Sequence, residues 1–160
     1  KIVNPKSQKQ TCMCMLTNYG GGYVQGDASH LKIHCKENTT SLVSSQANTR
    51  VYESNGQPCS QTITINLEKK AFHVFLNDPL VMHKGGNFHQ NAIINLEEEA
   101  VILYIDWFSA GRTENGERFA FEAYETSTIA KQNKKPILWD NFSISPKVMD
   151  VNYLLQKFVS

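Results

Sequence analysis

Apolar and polar positions alternate along most of this chain in short runs, rather than recurring at the three- and four-residue steps of an amphipathic helix. Strands are therefore predicted nearly throughout. The runs Cys12 to Thr17, Ala28 to Cys35, Ser41 to Ala47, Gln61 to Leu67, Ala71 to Leu76, Asn91 to Leu96, Ala100 to Trp107, Phe119 to Ala130 and Pro136 to Ile144 are rich in β-branched and aromatic side chains, which pack well on a pleated surface. Three stretches are self-similar. Aligning Ile33, Ile65 and Ile94 superimposes IHCKENTTSLVSSQ, INLEKKAFHVFLND and INLEEEAVILYIDW, each a strand end, a short charged or polar turn and a new apolar strand. Asn55-Gly56, Gly85-Gly86 and Asn115-Gly116 supply turn signals at similar spacing. A period near 30 residues predicts an all-β, β-helix-like stack of supersecondary units. Successive hairpins in a sandwich are the alternative on pattern alone. Only the C-terminus reads as a helix, with Ser145 as N-cap, Pro146 at the first position, and Val148, Val151, Leu155 and Phe158 on one face.

At 160 residues the chain fits one domain, 1–160, long enough to bury a core without disulfide or metal staples. Sixteen Lys and Arg against fifteen Asp and Glu leave a formal charge of +1, which provides no electrostatic footprint for nucleic acid or anionic lipid. The longest apolar run, Ala100 to Ile105, is stopped by Asp106 and is far too short for a membrane-spanning helix. The chain begins at Lys1 without a methionine or leader, as expected of trimmed ends or of numbering that starts inside a longer protein. Cys12, Cys14, Cys35 and Cys59 are too few for a disulfide scaffold and read as reduced thiols of a cytoplasmic protein. The glycosylation triplets at Asn38 and Asn141 read as chance in an Asn-rich chain.

Metal-ligand spacing is weak. With Leu31, Ile33 and Cys35 facing a core, His30 and His34 share the outer face roughly 13 Å apart, too far for one ion. Cys12 and Cys14 share a strand face and read as core packing, while His73, His83 and His89 have no ligand spacing. No Gly-x-Ser-x-Gly turn is present, and GGGYVQGD (Gly20 to Asp27) lacks the lysine of a phosphate loop and ends in an acid. In that run Val24 is expected to be buried and Asp27 to stand at the mouth of the next strand. In Gly111 to Phe121, a loop places Arg112 and Glu117 as an ion pair before an alternating strand with Phe119, Phe121 and Ala123 on one side. Thr49-Arg50-Val51-Tyr52 sets a cation beside an aromatic ring, a composition common at interface centres.

Four stretches in order, GGGYVQGD (20–27), SSQANTRVYES (44–54), LNDPLVMH (76–83) and DWFSAGRTENGERFAFEAYETS (106–127), resemble the urease accessory protein D family, UreD, called UreH in some systems. The resemblance implies an all-β body of which this chain is the front and middle part. It also implies a non-enzymatic scaffold that bridges apo-urease and the accessory proteins UreF and UreG, with nickel in transit through a water-filled passage and no tightly bound cofactor. Carried onto this sequence, the motif and interface positions are Gly21, Gly22, Asp27, Thr49, Arg50, Tyr52, Gly111, Arg112 and Glu117. Asp27 and Glu117 are expected to line or support the passage, with Asp106 and Glu114 ranked second. Two other readings remain at this stage. One is a β-helix carbohydrate hydrolase using an acidic pair among Asp106, Glu114 and Glu117. The other is a β-rich binding module unrelated to urease.

Overall fold

The computed structural model describes residues 2–3, 11–17, 20–149 and 151. Its strands are β1 (Ile2–Val3), β2 (Thr11–Leu16), β3 (Gly22–Tyr23), β4 (Ala28–Cys35), β5 (Thr40–Ser45), β6 (Thr49–Val51), β7 (Cys59–Leu67), β8 (Phe72–Leu76), β9 (Leu80–Met82), β10 (Asn87–Leu96), β11 (Val101–Ile105), β12 (Phe108–Ser109), β13 (Ala123–Gln132) and β14 (Lys135–Ile144). They form three sheets, ordered β1-β2-β5-β8-β11, β3-β6-β9-β12 and β4-β7-β10-β13-β14. The chain passes through the three sheets in the same order again and again, and each strand pairs in parallel with its counterpart in the next coil. That arrangement is a β-solenoid. Successive hairpins would have paired antiparallel. Among the described strands, only β1 and β14 do so, on β2 and β13 respectively.

The sequence repeat is the coil. Ile33 lies opposite Ile65, which lies opposite Ile94, so the three aligned isoleucines form one rank of the sheet. The charged corners that follow are one turn made three times. Asn38, Lys70 and Glu99 take positive φ of 56°, 59° and 58°, and Thr39, Ala71 and Ala100 donate their N–H to the carbonyls of Lys36, Glu68 and Glu97. Side chains tie adjacent corners together. Glu68 accepts from the Glu37 N–H, Glu97 from the Lys69 N–H, and Lys69 pairs with Glu98 at 2.7 Å.

Inward positions form two apolar clusters. The first packs Ile63, Ile65, Leu67, Phe75, Ala92 and Ile94 between the first and last sheets. The second packs Val51, Met82, Phe88, Phe121 and Tyr124 around the short-stranded sheet. Between them runs a polar rank, Ser29, Gln61, Gln90 and Thr126, paired across β4, β7, β10 and β13. Among the described residues, no helix is long and apolar enough to cross a membrane.

Four expectations need correction. Tyr23, not Val24, is the buried residue of the glycine-rich run: Val24 is 54% exposed because both its N–H and its carbonyl are taken up in a turn with Asp27. The strand expected from Phe119 starts only at Ala123, since Phe119 has φ of 51° and closes the preceding loop. Cys14 packs against the first cluster but Cys12 is exposed; among the described residues, β1 covers β2 only opposite Met15 and Leu16. Of the predicted C-terminal helix, a turn is seen in which Val148 and Met149 donate to the Ser145 carbonyl, while the Ser145 hydroxyl donates to the Glu122 carbonyl instead of capping. Val148 is exposed, Val151 is buried in the second cluster, and Leu155 and Phe158 lie outside the described residues.

Candidate functional site: a polar lumen beside a motif-bearing sheet

The four motif stretches are successive rungs of one sheet. β3, β6, β9 and β12 carry Gly22-Tyr23, Thr49-Arg50-Val51, Leu80-Val81-Met82 and Phe108-Ser109, each pair in parallel register. Gly22 allows the closest approach: a Cβ there would stand 2.1 Å from the Arg50 carbonyl oxygen. The Arg50 N–H in turn donates to the Gly21 carbonyl at 3.0 Å. Gly111, at φ of 130°, plays the same part at the far rung, where a Cβ would meet the Glu117 carbonyl at 2.6 Å.

Beside this sheet opens a surface cleft of about 480 Å³ lined by Tyr52, Glu53, His83, Lys84, Arg112 and Glu117. Arg112 forks onto Glu117, with Nε donating to Oε2 at 2.9 Å and Nη2 to Oε1, and Glu117 Oε2 also accepts from the Lys84 N–H. These bonds hold the Glu117 carboxyl below its ordinary pKa, the Arg112 bond foremost. His83 meets the Tyr52 ring edge-on at 4.9 Å, and burial, then Arg112, push its imidazole pKa down. The expected ion pair is thus present, as a bracket that closes a loop.

Inside the coils lies a second concavity of about 290 Å³, bordered by all three sheets. Its polar wall includes Ser29, Thr49, Gln61, Asp78, Gln90, Tyr104 and Asp106. Gln90, only 5% exposed, donates from Nε2 to Asp106 Oδ2 at 2.6 Å and to the Tyr104 hydroxyl at 3.4 Å. The Tyr124 hydroxyl donates to Asp106 Oδ1 at 3.1 Å. Enclosure raises the Asp106 pKa above the usual carboxylate value, and those two hydrogen bonds work against the rise. At another wall the Ser45 hydroxyl donates to Asp78 Oδ2 and accepts from the Asp78 N–H, fixing that acid. Tyr104, Asp106 and Trp107 also border an open cavity of about 570 Å³ with Asp140 and Phe142, so Asp106 stands at a wall shared by both.

Of the acids singled out from sequence, Asp106 borders the lumen. Asp27 closes the turn after β3 by accepting the Val24 N–H, Glu114 lies exposed in a one-turn 3-10 helix, Thr113–Asn115, and Glu117 belongs to the cleft. Asp106 and Glu117, two of the acids weighed for a hydrolase, thus border different cavities. Thr49, Arg50, Tyr52, Gly21, Gly22, Gly111 and Arg112 all cluster on or beside the motif sheet. Among the described residues, no three His, Cys, Asp or Glu side chains are placed to hold a metal together. Sequence reasoning passed over Gln61, Gln90, Tyr104, Tyr124 and Asp78. Its missed signal was parity: Gln61 and Gln90 occupy inward positions of strands whose other inward residues are Cys59, Ile63, Ile65 and Leu67, and Phe88, Ala92, Ile94 and Leu96.

Comparison with known proteins agrees with the motifs. The family model described as UreD urease accessory protein matches residues 1–158. A urease accessory protein UreD of Cytophaga hutchinsonii is 46% identical over 146 residues, 91% of this chain and 51% of that protein. The UreD of a Bacillus species is 28% identical over 149 residues, 93% of this chain and 55% of that protein, and that of Staphylococcus epidermidis 26% over 131 residues, 82% and 47%. The chain spans about half the length of these curated relatives. With a family match along almost its whole length, the chain belongs to the UreD urease accessory protein family.

Proposed function

We propose that this chain is the lumen-bearing part of a non-catalytic scaffold that lets nickel pass to apo-urease while bridging urease to the accessory proteins UreF and UreG. The observation that carries the reading is the polar rank Ser29–Gln61–Gln90–Thr126, ending on Asp106, threaded between two apolar cores. A conduit needs sites strong enough to admit an ion and weak enough to release it. Amide, hydroxyl and single-carboxylate oxygens meet that need; a ring of thiolates or imidazoles would trap the ion. Nickel here is cargo, and the partly dehydrated ion exchanges water for Gln90, Tyr104 and Asp106 oxygens along the wall. The motif sheet, with its Arg112–Glu117 bracket, holds the outer surface rigid for partners.

The test is Asp106→Asn in the full-length protein, with urease matured alongside it. Nickel per urease active site should fall several-fold while co-purification with urease, UreF and UreG stays unchanged. Full nickel loading would overturn the passage, and loss of the complex would make Asp106 an assembly residue instead.

A further inference from the structure

Two turns carry the same dipeptide in different hydrogen-bond settings. Asn55-Gly56 lies between β6 and β7, and Asn115-Gly116 ends the 3-10 turn in the loop before β13. All four residues are exposed. Both glycines take left-handed backbone, with φ of 86° and 76°, and a Cβ on either would meet nothing within 4 Å. What differs is the peptide that joins each pair. The Gly116 N–H donates to the Thr113 carbonyl at 3.0 Å, and the next N–H, that of Glu117, donates to the Arg112 carbonyl at 3.1 Å. The Arg112–Glu117 ion pair fastens the same loop a second time. Among the described residues, the Gly56 N–H meets no acceptor, and its turn is closed by one bond, from the Gln57 N–H to the Ser54 carbonyl at 2.8 Å.

We propose that Asn55 is a site of spontaneous deamidation in the folded protein, and that the fold protects Asn115 from the same reaction. The Gly56 nitrogen attacks the Asn55 side-chain carbonyl carbon. A new N–Cγ bond closes a five-membered imide, and the nitrogen's proton leaves with the side-chain amide as ammonia. Water then opens the ring at one carbonyl or the other, giving aspartate or isoaspartate and one new carboxylate. A glycine in second place adds no side chain to hinder the attack. To reach the attacking geometry, however, the Asn–Gly peptide must swing out of its turn. At Asn55 that motion gives up the Gln57 bond alone. At Asn115 it gives up the Gly116 and Glu117 bonds and strains the forked Arg112–Glu117 pair, which lowers the population of the open turn by at least about tenfold more. The product stays local, because Ser54 and Cys59 on either side of the turn are fully buried and Ser54 Oγ is held by the Asn87 N–H. The extra charge, and the extra backbone methylene of the isoaspartyl form, are taken up by the exposed turn between them.

The test holds the full-length protein for several weeks at mildly alkaline pH, where the peptide nitrogen gives up its proton more readily, and follows both sites by peptide mass spectrometry. A parallel sample unfolded in urea reports the reactivity of each dipeptide without the fold. In the folded protein the Asn55 peptide should gain about 1 Da, separate on chromatography into aspartyl and isoaspartyl forms, and react at least about tenfold faster than the Asn115 peptide. In urea the two should react at similar rates. No gain at Asn55 in the folded protein would overturn the inference, as would equal or faster reaction at Asn115. A gap that persists undiminished in urea would also overturn it, since neighbouring side chains and not the turn bonds would then set the rates.

Discussion

At Gly22 the fold leaves no room for a side chain: the Arg50 carbonyl sits where a Cβ would be, and it is backbone that would have to move. Gly56 is the contrasting case, with open space around it but φ of 86°. Gly22→Ala should therefore cost about 3 kcal/mol or fail to fold, as overpacking against a rigid strand does. Gly56→Ala should cost only about 1 kcal/mol, the left-handed backbone penalty. Urea denaturation of the two variants side by side measures the difference, and equal costs would show that β3 can shift away from β6. The buried histidines set a pH dependence. Burial lowers the pKa of His73, fully buried with Nδ1 at 2.8 Å from the Ser41 hydroxyl, and that of His83. A lowered imidazole pKa means that the unfolded chain binds the proton more readily. The contribution to stability is then complete above about pH 6.5 and is lost as pH falls through the folded value. Asp106 has the opposite sign, since its raised pKa makes its contribution fall as pH rises. In an Asp106→Asn background, which removes that opposing group, unfolding free energy should drop by about 1 kcal/mol from pH 7.5 to 5.5. A flat profile would mean that both imidazoles take up a proton as readily in the folded protein as in the unfolded chain.

Among the elements, legibility followed length. β4 alternates over eight residues, long enough for parity to show, and its predicted inner and outer faces agree with the burial seen. The repeat at Ile33, Ile65 and Ile94 was visible because charged corners need a left-handed residue at the same place each time. The motif sheet was not visible: β3, β6, β9 and β12 are two or three residues each, shorter than any period can resolve. The lumen was hidden for another reason. A Gln read by residue type alone is taken as outward, and only the parity it shares with Ile63 and Ile65, or with Ala92 and Ile94, turns Gln61 and Gln90 inward. Asp106 was singled out only as a second-rank acid, because its partners Gln90 and Tyr124 are 16 and 18 residues away in sequence. Parity also yields a stability contrast within the same sheet. Ile65→Ala, fully buried in the shared isoleucine rank, should cost about 2–5 kcal/mol in urea denaturation, whereas Ile93→Ala, 36% exposed on the outer face, should cost under about 1 kcal/mol. Similar losses would mean that the outer face is buried as well.

For the molecule as a whole, the polar rank is the feature that stability alone does not account for. A solenoid closes most securely when stacked inward residues are apolar, as the ranks of Ile33, Ile65 and Ile94 on one side of the lumen show. Here the second and third coils place Gln61 and Gln90 where an aliphatic residue would serve packing, and the fourth adds Asp106, exposed at the wall shared by the two cavities. On the proposed reading, retaining such groups weakens the core in exchange for a passage, the trade expected of a functional interior. Gln61→Leu separates the two roles. Its volume is close to that of Gln, and the bond that orients Asp106 comes from Gln90 and stays in place. The variant should melt at or a few degrees above the parent temperature, by about 1 kcal/mol of added stability. It should keep its partners and deliver several-fold less nickel to urease. Unchanged delivery with raised stability would mean that the ion travels elsewhere. Lowered stability would mean that the amide of Gln61 holds the coils together, making the rank a structural ladder instead of a passage.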